Sequence, residues 1–313
     1  MIYTLELFPS LEYSGYSENV ALGADNGVSG VILHAGGDGV IAAQVLAQLE
    51  VPVTACGFAA GYSGGEIEAV LRRHMVNTDF IYLENGLSPV NMSVNDENGR
   101  NTRFVTAPPN VSFDELTSLL DKLSKVNDGD TLLISGSVPE SVPSDIYEHI
   151  PDLFEGRNIR VALDIPAENA VKCLRFAPFL LVTSPEHITK AFGEPPTSEE
   201  EIFYCISQFR EMGAQNVLVY LDNGALLIDK EGVRHKCVDG GEIAVTSSSV
   251  SGAVKNSMIS GYLAGADDSD VDGDYALMLA AAAGRAAREA NGVPTKPKIL
   301  DIMKNLLKNF AVQ

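Results

Sequence analysis

Two short turns hold the residue types best able to do chemistry. The first is Ser251-Gly-Ala-Val-Lys-Asn-Ser-Met-Ile-Ser-Gly261. There a Gly/Ala/Ser-rich turn runs into an apolar, small-residue helix. A strand-to-helix junction reads this way when the helix N-terminus is set to face an anion. Lys255 brings a cation to that junction. Asn256 brings a neutral amide, which hydrogen-bonds but does not take up a proton as a base. The second turn is His34-Ala-Gly-Gly-Asp-Gly39, a glycine turn before a helix, with the carboxylate of Asp38 inside it. Its glycines are also what any tight strand–helix junction requires.

Such turns need strands that end, and helices that begin, along one edge. Apolar β-rich runs occur at 51–58, 131–135, 159–164, 179–183 and 217–221. Helical periods lie between them at 39–49, 65–73, 112–123, 144–153 and 199–212, and the last third is helical at 257–264, 274–290 and 297–310. This alternation predicts βαβ units, hence an α/β fold with a mostly parallel sheet and helices on both faces. Residues 11–33 and 89–107 break the pattern. They are strand-like, rich in Gly, Asn and Ser, and carry no helix. Asn95-Asp-Glu-Asn-Gly99 reads as the turn of a hairpin. The two inserts are expected to pair into one small sheet, either a lid or a surface decoration.

Bulk properties narrow the function. The chain has 313 residues and a formal net charge of −20, which argues against nucleic acid and anionic membranes as partners. No apolar run approaches the ~20 residues of a membrane span. The opening Met1-Ile-Tyr-Thr-Leu-Glu-Leu reads as a strand rather than a signal peptide. Cys56, Cys173, Cys205 and Cys237 lack metal-site spacing and read as reduced core thiols, which points to a cytoplasmic protein. His34 either faces the site or is structural. His74, His149 and His235 are expected at exposed positions without metal spacing. The acidic run 267–274 loosely resembles a Ca²⁺ loop but lacks the bidentate Glu, and reads as a solvated connector capping the next helix. No metal site is expected.

In order, the segments resemble the phosphofructokinase-B (PfkB), ribokinase-like family of carbohydrate kinases, on the branch of 1-phosphofructokinase and tagatose-6-phosphate kinase. Residues 1–10 resemble the branch's opening MIYTxTLNPS, and residues 34–39 fall at its GGKG turn. Ile134-Ser-Gly-Ser-Val-Pro139 matches SGSLP. Val217-Leu-Val-Tyr-Leu-Asp-Asn-Gly-Ala-Leu-Leu227 resembles VLVSLGxxGALL. Residues 257–265 match the helix after the GAGD motif. The resemblance implies a three-layer ribokinase-like α/β/α core, 1–10, 34–86 and 108–313. It also implies a discontinuous β lid, 11–33 and 87–107, which commonly forms the contact of a homodimer.

By the same resemblance the cofactors are ATP and Mg, and the partner is a small sugar or sugar phosphate. Substrate contacts fall to Glu12, Gly36, Gly37, Asp38, Asn91 and Ser137. Nucleotide contacts fall to Ser184, Asp222, Gly224, Gly252 and Ala253. The catalytic positions are Asn256 and Lys255. In the family, the amides of GAGD hold the transferred phosphoryl group and its Asp takes the sugar's proton. Here the last two members are Lys255 and Asn256. Loss of a general base typically costs ~10²–10⁴ in rate. Lys255 either supplies positive charge to a phosphoryl group or points to solvent.

Other departures run the same way. Asp38 replaces the lysine of GGKG, and a phosphate charge ~4 Å from it would cost on the order of 4 kcal/mol at an effective dielectric of ~20. Ser88-Pro-Val-Asn-Met-Ser-Val94 keeps Asn91 of the lid's TRINVKI but has Pro89 and Ser93 for its two bases. Arg100 and Arg103, which flank that hairpin, either return charge to the pocket or are solvated. The KPNxxE element has become Val182-Thr-Ser-Pro-Glu-His187, with Glu186 one position from the acidic one. Glu12 stands for the sugar-contacting Asp. Three readings follow. The chain is an ATP-dependent kinase of a sugar or sugar phosphate, a pseudokinase that binds a ligand or partner, or a kinase for an uncharged substrate.

Overall fold

The computed structural model describes residues 1–240, 243, 250–266 and 273–310. Its strands are β1 (Ile2–Glu6), β2 (Ser10–Tyr16), β3 (Ser29–Gly36), β4 (Val53–Ala60), β5 (Asn77–Leu83), β6 (Val90–Asn95), β7 (Asn101–Phe104), β8 (Thr131–Ser135), β9 (Arg160–Asp164), β10 (Leu180–Thr183), β11 (Asn216–Leu221), β12 (Gly224–Ile228) and β13 (Arg234–Val238). The helices are α1 (Asp38–Gln48), α2 (Gly61–Arg73), α3 (Phe113–Leu123), α4 (Ile146–Asp152), α5 (Ala167–Cys173), α6 (Pro185–Phe192), α7 (Glu199–Glu211), α8 (Gly252–Gly265), α9 (Gly273–Ala290) and α10 (Lys296–Phe310).

A nine-stranded sheet in the order β13-β12-β11-β10-β9-β8-β1-β4-β5 forms the middle layer, parallel except for β12 and β13 at one edge. Its strands read as continuous apolar runs because both faces are covered. On β4, Val53, Ala55 and Ala59 enter one core while Cys56, Phe58 and Ala60 enter the other. Helices α1, α2, α8, α9 and α10 contribute to the first core, and α3 to α7 to the second. The result is the expected three-layer α/β/α arrangement. The alanine run of α9 is buried against α8, where a Cβ at Gly261 would come within 2.6 Å of the Leu279 carbonyl oxygen. Among the described residues no helix is long and apolar enough to cross a membrane.

The two irregular segments form a separate four-stranded sheet, β3-β2-β6-β7. β2 pairs with β6 in parallel, which joins the two inserts, and β6 and β7 form the expected hairpin. Asp96 holds its turn by accepting from the amides of Asn98 and Arg100, each at 2.9 Å.

One element differs in a way that bears on chemistry. α8 starts at Gly252 rather than at 257, with Ser251 as its N-cap. Lys255 and Asn256 therefore lie inside its first turns, not in a turn ahead of it. The Lys255 amide donates to the Ser251 carbonyl at 3.0 Å and is not free for an anion. The β12–β13 hairpin and the short helices α5 and α6 also went unread in the sequence.

Candidate functional site

In open α/β sheets ligands bind beyond the carboxyl ends of the strands. At that edge Glu6, Ser135 and Asp164 end adjacent parallel strands and are paired in register, Glu6 with Ser135 and Ser135 with Asp164. Ala162 enters the core shared with α1 and α8. Asp164, two residues on, faces the same way.

The N-termini of α1 and α8 bring Asp38, Lys255 and Asn256 onto this row. Lys255 points inward. Its ammonium Nζ lies 2.8 Å from Asp164 Oδ2 and 3.1 Å from Asp38 Oδ2. Burial alone would push an ammonium's pKa down. Asp164 and Asp38 outweigh it and hold Lys255 protonated well above the ordinary range. Burial raises the Asp164 pKa, with Lys255 opposing. Asn256 is fully buried, and its Nδ2 donates to Asp38 Oδ1 at 2.8 Å. Both oxygens of Asp38 are thus engaged, although about a third of the side chain remains open to solvent.

Glu6 lies beneath this pair and is sealed. Its Oε2 accepts from the Gly39 amide at 3.0 Å. Two glycine turns close over it. Gly37 (φ 112°) and Gly136 (φ 84°) hold conformations that L side chains rarely adopt, and a Cβ on either would come within 3 Å of the Glu6 side chain. Burial, with a further push from Asp38, raises the Glu6 pKa to about 8 against the pull of the Gly39 amide and Lys255. Sequence reading missed Glu6 and Asp164. Their signal was a carboxylate closing an otherwise apolar strand.

The remaining candidates fall in three places. On the small sheet, Glu12 Oε1 accepts from Ser10 Oγ (2.7 Å), Asn91 Nδ2 (2.7 Å) and Arg103 (2.9 Å). Burial pushes the Glu12 pKa up, but these donors together hold it below its usual value. His34 faces Glu12 across β2–β3, and burial lowers its pKa. Gly36 lies against Glu12, where a Cβ would clash with Cγ at 2.5 Å. Ser137 is exposed in the loop after β8. Near α8, Asp222 and Ser251 line a pocket of about 330 Å³ with Arg288 and Asn291. Gly224 opens β12 beside it, and Gly252 and Ala253 are the first residues of α8.

Several expected contributors are directed elsewhere. Ser184 caps α6 through the His187 amide, and Val182 is core. Glu186 turns outward to Lys190 at 2.8 Å. Arg100 is paired with Asp96 in the hairpin turn. His235 corrects its expected exposure. It is buried on β13 between Asp229 Oδ2 (2.9 Å) and Asp274 Oδ1 (2.7 Å), because the strand it occupies was not read as one. Residues 267–272 of the acidic run lie outside the described residues.

The row does not suit Mg²⁺ with a nucleotide phosphate. The Lys255 ammonium already occupies the space between Asp38 and Asp164, and among the described residues no three His, Cys, Asp or Glu side chains are placed to hold a metal. What the arrangement does is neutralise itself.

Comparison with known proteins adds ancestry. The model of the pfkB family carbohydrate kinases matches residues 10–298. A 1-phosphofructokinase of Bacillus subtilis is 31% identical over 266 residues, covering 85% of each chain. A D-tagatose-1-phosphate kinase of Bacillus licheniformis is 28% identical over 233 residues, 74% of this chain and 76% of its own. The structure of phosphofructokinase-2 from Escherichia coli with fructose-6-phosphate superposes with a TM-score of 0.84 at 22% identity, over 97% of this chain and 98% of that one.

Proposed function

The chain belongs to the pfkB family of carbohydrate kinases, and from that premise we propose that it is a pseudokinase whose phosphotransfer centre has become an internal ion-pair cluster. One observation carries this reading. The Lys255 ammonium is buried between Asp164 and Asp38, at 2.8 and 3.1 Å, while Asn256 holds the other oxygen of Asp38. A phosphoryl group needs a cation or free amides to meet its charge, and the acceptor hydroxyl needs a base. Here the cation is already matched, the amide of Lys255 is inside the helix, and position 256 carries a carboxamide. The buried carboxylates Glu6 and Asp164 are out of reach of a substrate hydroxyl.

ATP binding fits the pocket beside Asp222, Ser251 and Arg288 better than the phosphoryl position does, so nucleotide retention without transfer is part of the proposal. Assembly through the small sheet is another part. Tyr16, Val31, Ile32, Met92 and Phe104 leave apolar surface exposed on all four of its strands. The test is ADP release from ATP and Mg²⁺ with fructose-1-phosphate, tagatose phosphates and the unphosphorylated hexoses. The proposal expects no release above the acceptor-free background in protein shown to be folded. Acceptor-dependent release would overturn it.

A further inference from the structure

The charges of the cleft constrain what it can hold. Three carboxylates, Asp38, Asp164 and Glu12, are met by two cations, Lys255 and Arg103. Each cation is already engaged at ion-pair distance, Lys255 twice and Arg103 with Glu12 at 2.9 Å. A phosphorylated ligand would bring further negative charge to a row with no uncommitted cation. The atoms left over are of another kind. Ser135 Oγ, between Glu6 and Asp164 in the sheet, and Asn256 Oδ1, beside Asp38, are buried and without a hydrogen-bond partner among the described residues. The open part of Asp38 accepts further hydrogen bonds, since each carboxylate oxygen takes more than one donor. Acceptors and hydroxyls of this sort pair with O–H and N–H donors, not with phosphate oxygens.

We infer that the cleft takes an unphosphorylated polyhydroxy compound, a free sugar or an amino sugar, whose hydroxyl or ammonium donors meet Asp38, with phosphorylated sugars excluded by charge. The inference deepens the reading above by naming the ligand class of the same site, and it is tested by binding, not turnover.

The experiment is isothermal titration of the full chain, without nucleotide, against free hexoses, hexitols, hexosamines and their phosphate esters. Binding of at least one free or amino compound is expected, with its phosphate ester weaker by about tenfold or more. That ratio should shrink in Asp38→Asn, whose fold is checked by circular dichroism, because the variant removes the charge while keeping the hydrogen-bonding shape. Equal or tighter binding of a phosphate ester would overturn the inference. So would the absence of binding by every free and amino compound, or a ratio unchanged in Asp38→Asn. The pseudokinase reading fails only on phosphotransfer, so the two failures are separable.

Discussion

Lys255 and Asp38 lie 3.1 Å apart, joined across the N-termini of two helices that are distant in sequence. The resemblance expects the opposite arrangement, a cation on the α1 turn and a carboxylate on the α8 turn. The two signs have exchanged places, and the exchange closes on itself with Asp164 as the second carboxylate at 2.8 Å. Removing one member of a buried pair leaves the other uncompensated, which typically costs about 3–5 kcal/mol. Lys255→Met is therefore expected to destabilise the protein by an amount in that range, read from urea unfolding. Lys255→Met with Asp164→Asn should recover much of the loss. A single variant as stable as the wild type would show that the pair is not holding the edge together.

The exchanged signs can be put back. Asp38→Lys with Asn256→Asp restores a cation on α1 and a carboxylate on α8. Because a general base is typically worth ~10²–10⁴ in rate, the double variant is expected to release ADP measurably where the wild type does not. A folded double variant with no activity would mean that the cleft has changed beyond its charges.

Glu6 gives the site a pH signature. Its pKa is raised to about 8 in the fold, from an unfolded value near 4.5. The folded state therefore holds the proton where the unfolded chain has lost it. No penalty exists below the unfolded value, and it grows as pH rises toward about 8. At ~1.4 kcal/mol per unit the full difference is on the order of 5 kcal/mol, an upper figure for a coupled site. Glu6→Gln keeps an acceptor for the Gly39 amide. It should stabilise the protein at pH 8 and much less at pH 4.5, as thermal melts at the two pH values would show. A shift independent of pH would contradict the assignment.

His235 runs the other way. Burial pushes its pKa down, but Asp229 and Asp274, one on each ring nitrogen, push it further up. Its folded value stands above the ordinary 6.5, so its contribution is fully present below that pH and is lost as pH rises through the folded value. His235→Asn should cost more stability at pH 5.5 than at pH 9. Equal losses at both would show that the imidazolium is not what ties β13 to α9.

The frame was legible because its signals are local and repeated. The strand at 131–135 matches β8 residue for residue, since a buried parallel strand is an unbroken apolar run. The pairing of the two inserts followed from a clear turn, 95–99, and a lack of helical period. The site was half legible. Asp38, Lys255 and Asn256 stood out by type, but their mutual contact spans more than two hundred residues and is set by tertiary packing. Glu6 and Asp164 were read as ends of strands. Nothing in the linear pattern said that a lysine from α8 would cover one and a glycine turn the other. His235 was misplaced because the short β12–β13 hairpin begins at a glycine held at φ 150° by its close approach to Cys237, which a pattern of apolar residues does not register.

The most direct test of the account is the search for product itself. Wild-type protein, folded by circular dichroism, would be incubated at high concentration with ATP, Mg²⁺ and each sugar and sugar phosphate of the panel, and the mixture followed by ³¹P NMR. The account predicts that no new phosphate ester forms in any mixture while the Asp38→Lys, Asn256→Asp variant makes one. A phosphorylated sugar made by the wild type would contradict it.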